Sequence, residues 1–291
     1  MKLRIKHRSL YEYSDAVTIS HHEARLSPRE TEAQRVVRHE LLVEPEPQSR
    51  RRRFDYFGNR ATHFSLSEPH HALEVVSQSV VDLSPVQLPP LDATPTWEAV
   101  QERLKTDRRR DILDAYAFCF ESPLLQVTQE LVDYALGSFH PKMPVLLAAQ
   151  DLMRRIYDDF RYDTTATHIA TPLTEVLSTR RGVCQDFAHV MIGCLRSMGL
   201  AARYVSGYLL THPPPGRPKL VGADASHAWL SIFVPDIGWV DFDPTNNVLP
   251  SDEHVTIAFG RDFSDVTPIR GVILGGGQHK INVAVDVEPI A

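Results

Sequence analysis

The sequence predicts an α+β protein, with strands concentrated at the start and helices followed by further strands after them. Three observations carry this expectation. Residues 3–83 consist of short alternating or β-branched runs between turn signals. Residues 84–96 hold Pro85, Pro89, Pro90 and Pro95, and beyond them the apolar period changes from two to about 3.6. With 291 residues, 43% of them hydrophobic and 23% charged, the chain has enough apolar surface to offset the entropy of ordering its backbone.

The elements follow in order. Arg35 to Val43 and Leu73 to Val81 are the clearest early strands, and Ser27-Pro28-Arg29 and Phe57-Gly58-Asn59 mark turns between strands. The proline cluster can hold neither a ladder nor a helix, so the chain divides into a β-rich domain at 1–85, a linker at 86–96 and a second domain at 97–291. Helical spacing appears in Trp97 to Leu104, Pro123 to Leu136 and Pro144 to Phe160. In the last, Val145, Ala148, Ala149, Leu152, Ile156 and Phe160 form one apolar stripe. A further helix runs from about Cys184 to Ser197, where Gly199 suits a left-handed cap. Strands are expected at Arg203 to Leu210, Ala228 to Val234, Trp239 to Phe242 and Asn282 to Val287, and Gly275-Gly276-Gly277 reads as a hairpin turn.

Charge and cysteine usage narrow the class. A net charge of -6 argues against a general nucleic-acid binder, and the runs Arg50 to Arg53 and Arg108 to Arg110 read as solvated faces, with an anionic partner as the alternative. The sequence contains no apolar stretch long enough to span a bilayer, and Lys2, Arg4, Lys6, His7 and Arg8 leave no room for a secretory leader, so no membrane association is expected. Cys119, Cys184 and Cys194 are too few for a disulfide scaffold and fit a reducing, cytoplasmic setting. His-Glu-x-x-His, Cys-x-x-Cys and calcium-loop spacings are all missing from the sequence, so neither a metal nor a cofactor is expected.

The chemistry concentrates in three blocks. In Gly182-Val183-Cys184-Gln185-Asp186-Phe187-Ala188-His189, a thiol stands at the start of a helix, where free amide N–H groups and the macrodipole favour an anion. Downstream, His227-Ala228-Trp229 opens a strand and Trp239-Val240-Asp241-Phe242-Asp243-Pro244-Thr245 returns. A hairpin register centred on Pro235 sets His227 directly opposite Asp243. An acid beside the imidazole fixes its tautomer and stabilises its cation, while the other ring nitrogen is free to face the thiol. Asp241 is the rival acid, because it points the same way along the strand, and His189 reads as structural.

These blocks resemble the transglutaminase-like superfamily in its bacterial branch of cysteine peptidases. The resemblance extends to Arg25-Leu26-Ser27-Pro28-Arg29 and Asp55-Tyr56-Phe57-Gly58-Asn59 in the β-rich region, and to Phe259-Gly260-Arg261-Asp262 and Asp265-Val266-Thr267-Pro268 near the end. It implies a papain-like core of helices packed on an antiparallel sheet. It also implies a catalytic triad of Cys184, His227 and Asp243, with Tyr162 a candidate oxyanion donor. The expected activity is thiol-dependent acyl transfer on a peptide or protein amide, hydrolysis being favoured. The alternatives are protein-glutamine amine transfer and a non-catalytic scaffold on the same fold. Hydrolysis is favoured because the loop from Thr211 to Asp224, whose charges are Arg217, Lys219 and Asp224, offers a lysine acceptor no acidic groove. The N-terminal β domain is a candidate surface for a protein partner.

Overall fold

The computed structural model describes residues 1–168, 171–211 and 226–290. Its first layer is antiparallel β-structure: β1 (Lys2–Ala24), β2 (Gln34–Glu44), β3 (Ser49–Phe54), β4 (Arg60–Leu66) and β5 (His70–Leu83). Burial alternates along β1, so Leu3, Ile5 and Val17 face inward. The helical region follows, with α1 (Trp97–Thr106), α2 (Arg110–Tyr116), α3 (Gln129–Leu136) and α4 (Val145–Asp159). Next come the short β6 (Arg161–Tyr162), α5 (Leu173–Thr179), β7 (Arg181–Gly182) and α6 (Cys184–Ser197). Then come β8 (Ala202–Leu209), β9 (Ser226–Val234), β10 (Gly238–Phe242), β11 (His254–Gly260), α7 (Phe263–Val266), β12 (Ile269–Gly275) and β13 (His279–Ile290).

The helix expected from Pro123 begins only at Gln129. Ser122 and Leu125 instead close a tight turn with paired 2.9 Å backbone bonds, and the Leu124 amide donates to Asp262 rather than to a helical carbonyl. Elsewhere the apolar periods held. The inward stripe of α4 is fully buried, each large side chain contributing roughly 1.5–3 kcal/mol. Thr96 caps α1 by accepting from the Ala99 amide, and Gly199 takes φ 69° just past α6 while the Leu200 amide bonds back to Leu195.

The last two strands correct the sequence reading twice. β12 and β13 both run antiparallel to β1, Ala24 pairing Ile269 and Lys2 pairing Ile290, so residues 269–290 belong to the N-terminal sheet and not to the helical half. Gly275-Gly276-Gly277 is therefore no hairpin turn. All three have positive φ, and they carry one long ribbon round a corner opposite the register break in β1 between Glu12 and Val17. β4 and β5 flank the other side of β1 in the same interrupted way, and β3 and β2 pair with them in turn. The layer is thus four long ribbons, β1 running through continuously and the other three each interrupted at one corner.

The second sheet, in the order β10-β9-β8-β11, packs against α6. Its β11 edge is closed by two carboxamides from the first layer. Gln34 donates to the Thr256 carbonyl and accepts from the Thr256 amide, both at 2.8 Å, and Asn59 does the same at Phe259 at 2.7 and 2.8 Å. One continuous core joins Leu3 and Ile5 of β1, Val81 of β5 and Val285 and Val287 of β13 to α4, α6 and β8–β11.

Candidate active site

Cys184 is the first residue of α6, and its position is fixed from both sides. The Asp186 carboxylate reaches back to accept from the Val183 amide at 2.8 Å and from the Thr167 hydroxyl at 2.6 Å, which ties down the entry to the helix. Gly182 is required beside it, since a Cβ there would lie 2.6 Å from the Asp186 oxygen. Gly182 also pairs with Tyr162 in a two-residue parallel bridge, which brings that ring edge-on to Phe187 and next to the thiol. Tyr162 is half exposed; its hydroxyl is raised above the usual tyrosine range by burial and by the neighbouring Cys184.

His227 lies at the start of β9. The hairpin register is centred on Asp236, which takes φ 70°, and not on Pro235 as the sequence suggests, so Asp243 falls diagonal to His227 and not directly opposite. The shift is by one whole pleat repeat, which leaves both side chains on the same face. His227 Nε2 donates to Asp243 Oδ2 at 2.8 Å, and the ring lies near enough to Cys184 to interact with it electrostatically. With Nε2 committed to the carboxylate, Nδ1 is the nitrogen left for sulfur. Burial opposes charge on the imidazole, but Asp243 and Cys184 more than offset it and raise its pKa to about 10.

Asp243 is fully buried. Burial alone would raise its carboxyl, yet His227, His254 and Asn246 hold it well below the usual carboxylate range. His254 Nε2 donates at 3.2 Å and Asn246 Nδ2 at 2.7 Å to the same oxygen that serves His227, while the Thr245 and Asn246 amides donate to the other. Asp241, the rival acid, instead accepts from the Trp229 indole at 3.1 Å and from Ser231, and Trp229 stacks beside His227 with centroids 5.9 Å apart. His189 accepts the Phe263 amide, and burial lowers its pKa to about 4, which suits a neutral structural ring.

Sequence reasoning did not find His254 or Asn246. Asn246 stands three residues after Asp243, a spacing that could have pointed to it. His254 has no such signal, because β11 brings it in through sheet pairing. The donor atoms of His227, Asp243 and His254 lie within 4.8 Å of one another, a set that could in principle ligate a cation. The same atoms are already joined by the hydrogen bonds just described. Cys119 and Cys194 lie apart in the core, their thiols pushed up to about 12 by burial.

Residues 3–82 match the bacterial transglutaminase-like N-terminal region, and residues 134–244 match the transglutaminase-like superfamily. The chain is 40% identical over 299 residues to an uncharacterized protein of Mycobacterium tuberculosis, covering 99% of this chain and 93% of that one. It is 34% identical over 294 residues to another from Mycobacterium leprae, covering 100% and 99%. A shorter segment of 109 residues, 35% of this chain and 16% of the relative, is 32% identical to a protein-glutamine gamma-glutamyltransferase of Pseudomonas aeruginosa. The crystal structure of a protein of Cytophaga hutchinsonii, proposed to be a cysteine protease, superposes with a TM-score of 0.77 at 22% identity, covering 99% and 90% of the two chains. A helix-borne cysteine, a sheet-borne His–Asp pair and full-length relatives at this level of identity therefore place the chain in the transglutaminase-like superfamily, with the N-terminal region of its bacterial members.

Proposed function

We propose that the chain is a thiol-dependent acyl-transfer enzyme that hydrolyses a peptide or carboxamide bond through an acyl-enzyme on Cys184. The observation that supports this reading is a cysteine at the start of α6 next to an imidazole that is itself hydrogen-bonded to the buried Asp243 carboxylate. The Cys184 thiolate attacks the substrate carbonyl carbon, and the Cys184 amide with the Tyr162 hydroxyl is suited to hold the oxyanion. As the C–N bond breaks, the His227 imidazolium gives its proton to the departing amine, leaving a thioester. Neutral His227 then takes a proton from water as its oxygen attacks. The C–S bond breaks, and carboxylate and thiolate are released.

Water needs no attraction of its own, whereas a free carboxylate beside the thiol would favour the approach of a cationic lysine acceptor. Asp163, next to Tyr162, is already held by Arg181 and by the Thr165 amide and hydroxyl. The loop that carries Arg217, Lys219 and Asp224 lies outside the described residues from position 212 onward. The segment shared with a protein-glutamine gamma-glutamyltransferase favours amine transfer as the second reading. Incubation with a susceptible amide and a labelled primary amine, read by mass spectrometry, separates the two. Free carboxylate as the main product, lost in Cys184→Ala, is the expected result. Predominant amine adduct moves the assignment to transfer, and a Cys184→Ala protein with undiminished turnover overturns both.

A further inference from the structure

Among the described residues β3 is an edge strand that pairs only with β4, and every one of its residues, Ser49 through Phe54, is exposed. It carries Arg50 to Arg53 consecutively in a chain whose net charge is -6, so the field along this edge is opposite in sign to that of the whole molecule. Strand alternation divides the four arginines. Arg50 donates to the Leu41 carbonyl on one face, whereas Arg53, on the other face with Arg51, reaches Glu23 only at 3.6 Å and is 62% exposed.

At the end of β3 a cleft of about 830 Å³ opens between the two layers, lined in part by Arg25, Arg53, Phe54, Tyr56, Phe120 and Arg270. Three of its four acids, Glu23, Asp55 and Asp265, are paired with arginines, and the fourth, the exposed Glu121, accepts from the Val127 amide. Glu23 alone lies within ion-pair distance of Arg25, Arg53, His63 and Arg270, and Asp265 is held by Arg261 through two nitrogens. The Arg25 guanidinium is almost wholly buried, and its Nη1 has no partner among the described residues. Around the cleft stand Phe54 at 68%, Tyr56 at 86% and Phe120 at 53% exposure. A charged edge by itself is a common guard against strand pairing between molecules. That role explains the arginines but neither the exposed aromatic ring cluster nor the open cleft beside it. Arginine and tyrosine around a concave surface are the residues that anchor partners.

We propose that the outer edge of β3 and the adjoining cleft dock an extended acidic segment of a partner protein. The segment adds as a strand, taking the outward backbone groups of β3. Its alternate carboxylates meet Arg51 and Arg53, and an apolar side chain enters the cleft between Phe54 and Tyr56. A peptide is favoured over a nucleic acid because the free edge offers donors and acceptors at strand spacing, which a sugar–phosphate backbone cannot match.

The test is fluorescence anisotropy of the full chain with a fluorescein-labelled peptide of alternating glutamate and valine ending in phenylalanine. Three comparison probes accompany it: the lysine-for-glutamate peptide, a peptide N-methylated at alternate residues, and oligothymidylate of equal charge. Saturable binding of the first peptide is expected, with at least tenfold weaker binding of all three comparison probes and in the R51E/R53E variant. Unaltered thermal unfolding and unaltered alkylation of Cys184 check that this variant is folded. Tyr56→Ala, which leaves the charge intact, is expected to weaken binding as well. C184A protein should bind like wild type, which keeps the outcome separate from the proposed catalysis. Absence of saturable binding, indifference to R51E/R53E, or equal binding of oligothymidylate or of the N-methylated peptide would each overturn the proposal.

Discussion

Asp243 accepts five hydrogen bonds, two of them from histidine rings, and so holds the charge on which His227 depends. The pH dependence follows from the direction of each shift. His227, raised from 6.5 to about 10 in the fold, contributes stability that is complete below about pH 6.5 and is lost as pH rises through 10. Asp243, depressed from 3.8, contributes stability present above about pH 4 and lost as the solution becomes more acid. The stability gap between wild type and D243N, measured by urea unfolding across pH, is therefore expected to be widest from about pH 4 to 6.5 and to shrink steadily toward pH 10. A gap that widens with alkali would contradict the pairing. The same substitution should lower turnover on the order of 10³-fold or more. Iodoacetamide should label Cys184 ahead of Cys119 and Cys194, whose thiols desolvation pushes up to about 12; equal rates for all three would remove the argument for activation. Cys184, His227 and Asp243 were legible because each sits in a local pattern of turn, strand and helix. His254 was not, since its approach to Asp243 depends on the pairing of β11 with β8, which no run of adjacent residues encodes.

At the scale of elements, the entry to α6 is the sensitive joint. Asp186→Ala frees the Val183 amide and the Thr167 hydroxyl, and is expected to cost about 1 kcal/mol by urea unfolding, with slower alkylation of Cys184 as the helix start loosens. A loss of stability with no change in alkylation would confine Asp186 to capping. Gly182→Ala should be worse, because the added Cβ displaces the carboxylate that does the capping. The hairpin of β9 and β10 shows how far periodicity reaches. Its strands and their inward faces were readable from alternation, but its centre was not. The turn closes through Asp236 in the left-handed region, a local choice that Pro235-Asp236-Ile237-Gly238 does not fix by itself. The helix missing from residues 123–128 has a similar cause, since the Leu124 amide is taken by Asp262 from far along the chain.

Across the whole molecule, the proline-rich segment suggested two separable bodies, but residues of both layers share one core, and Gln34 and Asn59 of the first close the β11 edge of the second. Unfolding is therefore expected as one cooperative transition, with circular dichroism and tryptophan fluorescence coinciding, and residues 97–291 expressed alone should fail to fold. Two resolved transitions would contradict the shared core. Gln34→Ala should cost roughly 1–3 kcal/mol, because the Thr256 amide is left buried without its acceptor while the Thr256 carbonyl keeps the Arg29 amide at 3.1 Å. The pairing of Lys2 with Ile290 has a further meaning during synthesis. β1 leaves the ribosome long before β13, the neighbour it pairs with, has been made. Contacts so distant in sequence make folding slow, and they postpone completion of the scaffold around the reactive thiol until β13 has been synthesised. A nascent or prematurely terminated chain thus carries Cys184 without the scaffold that would arm it.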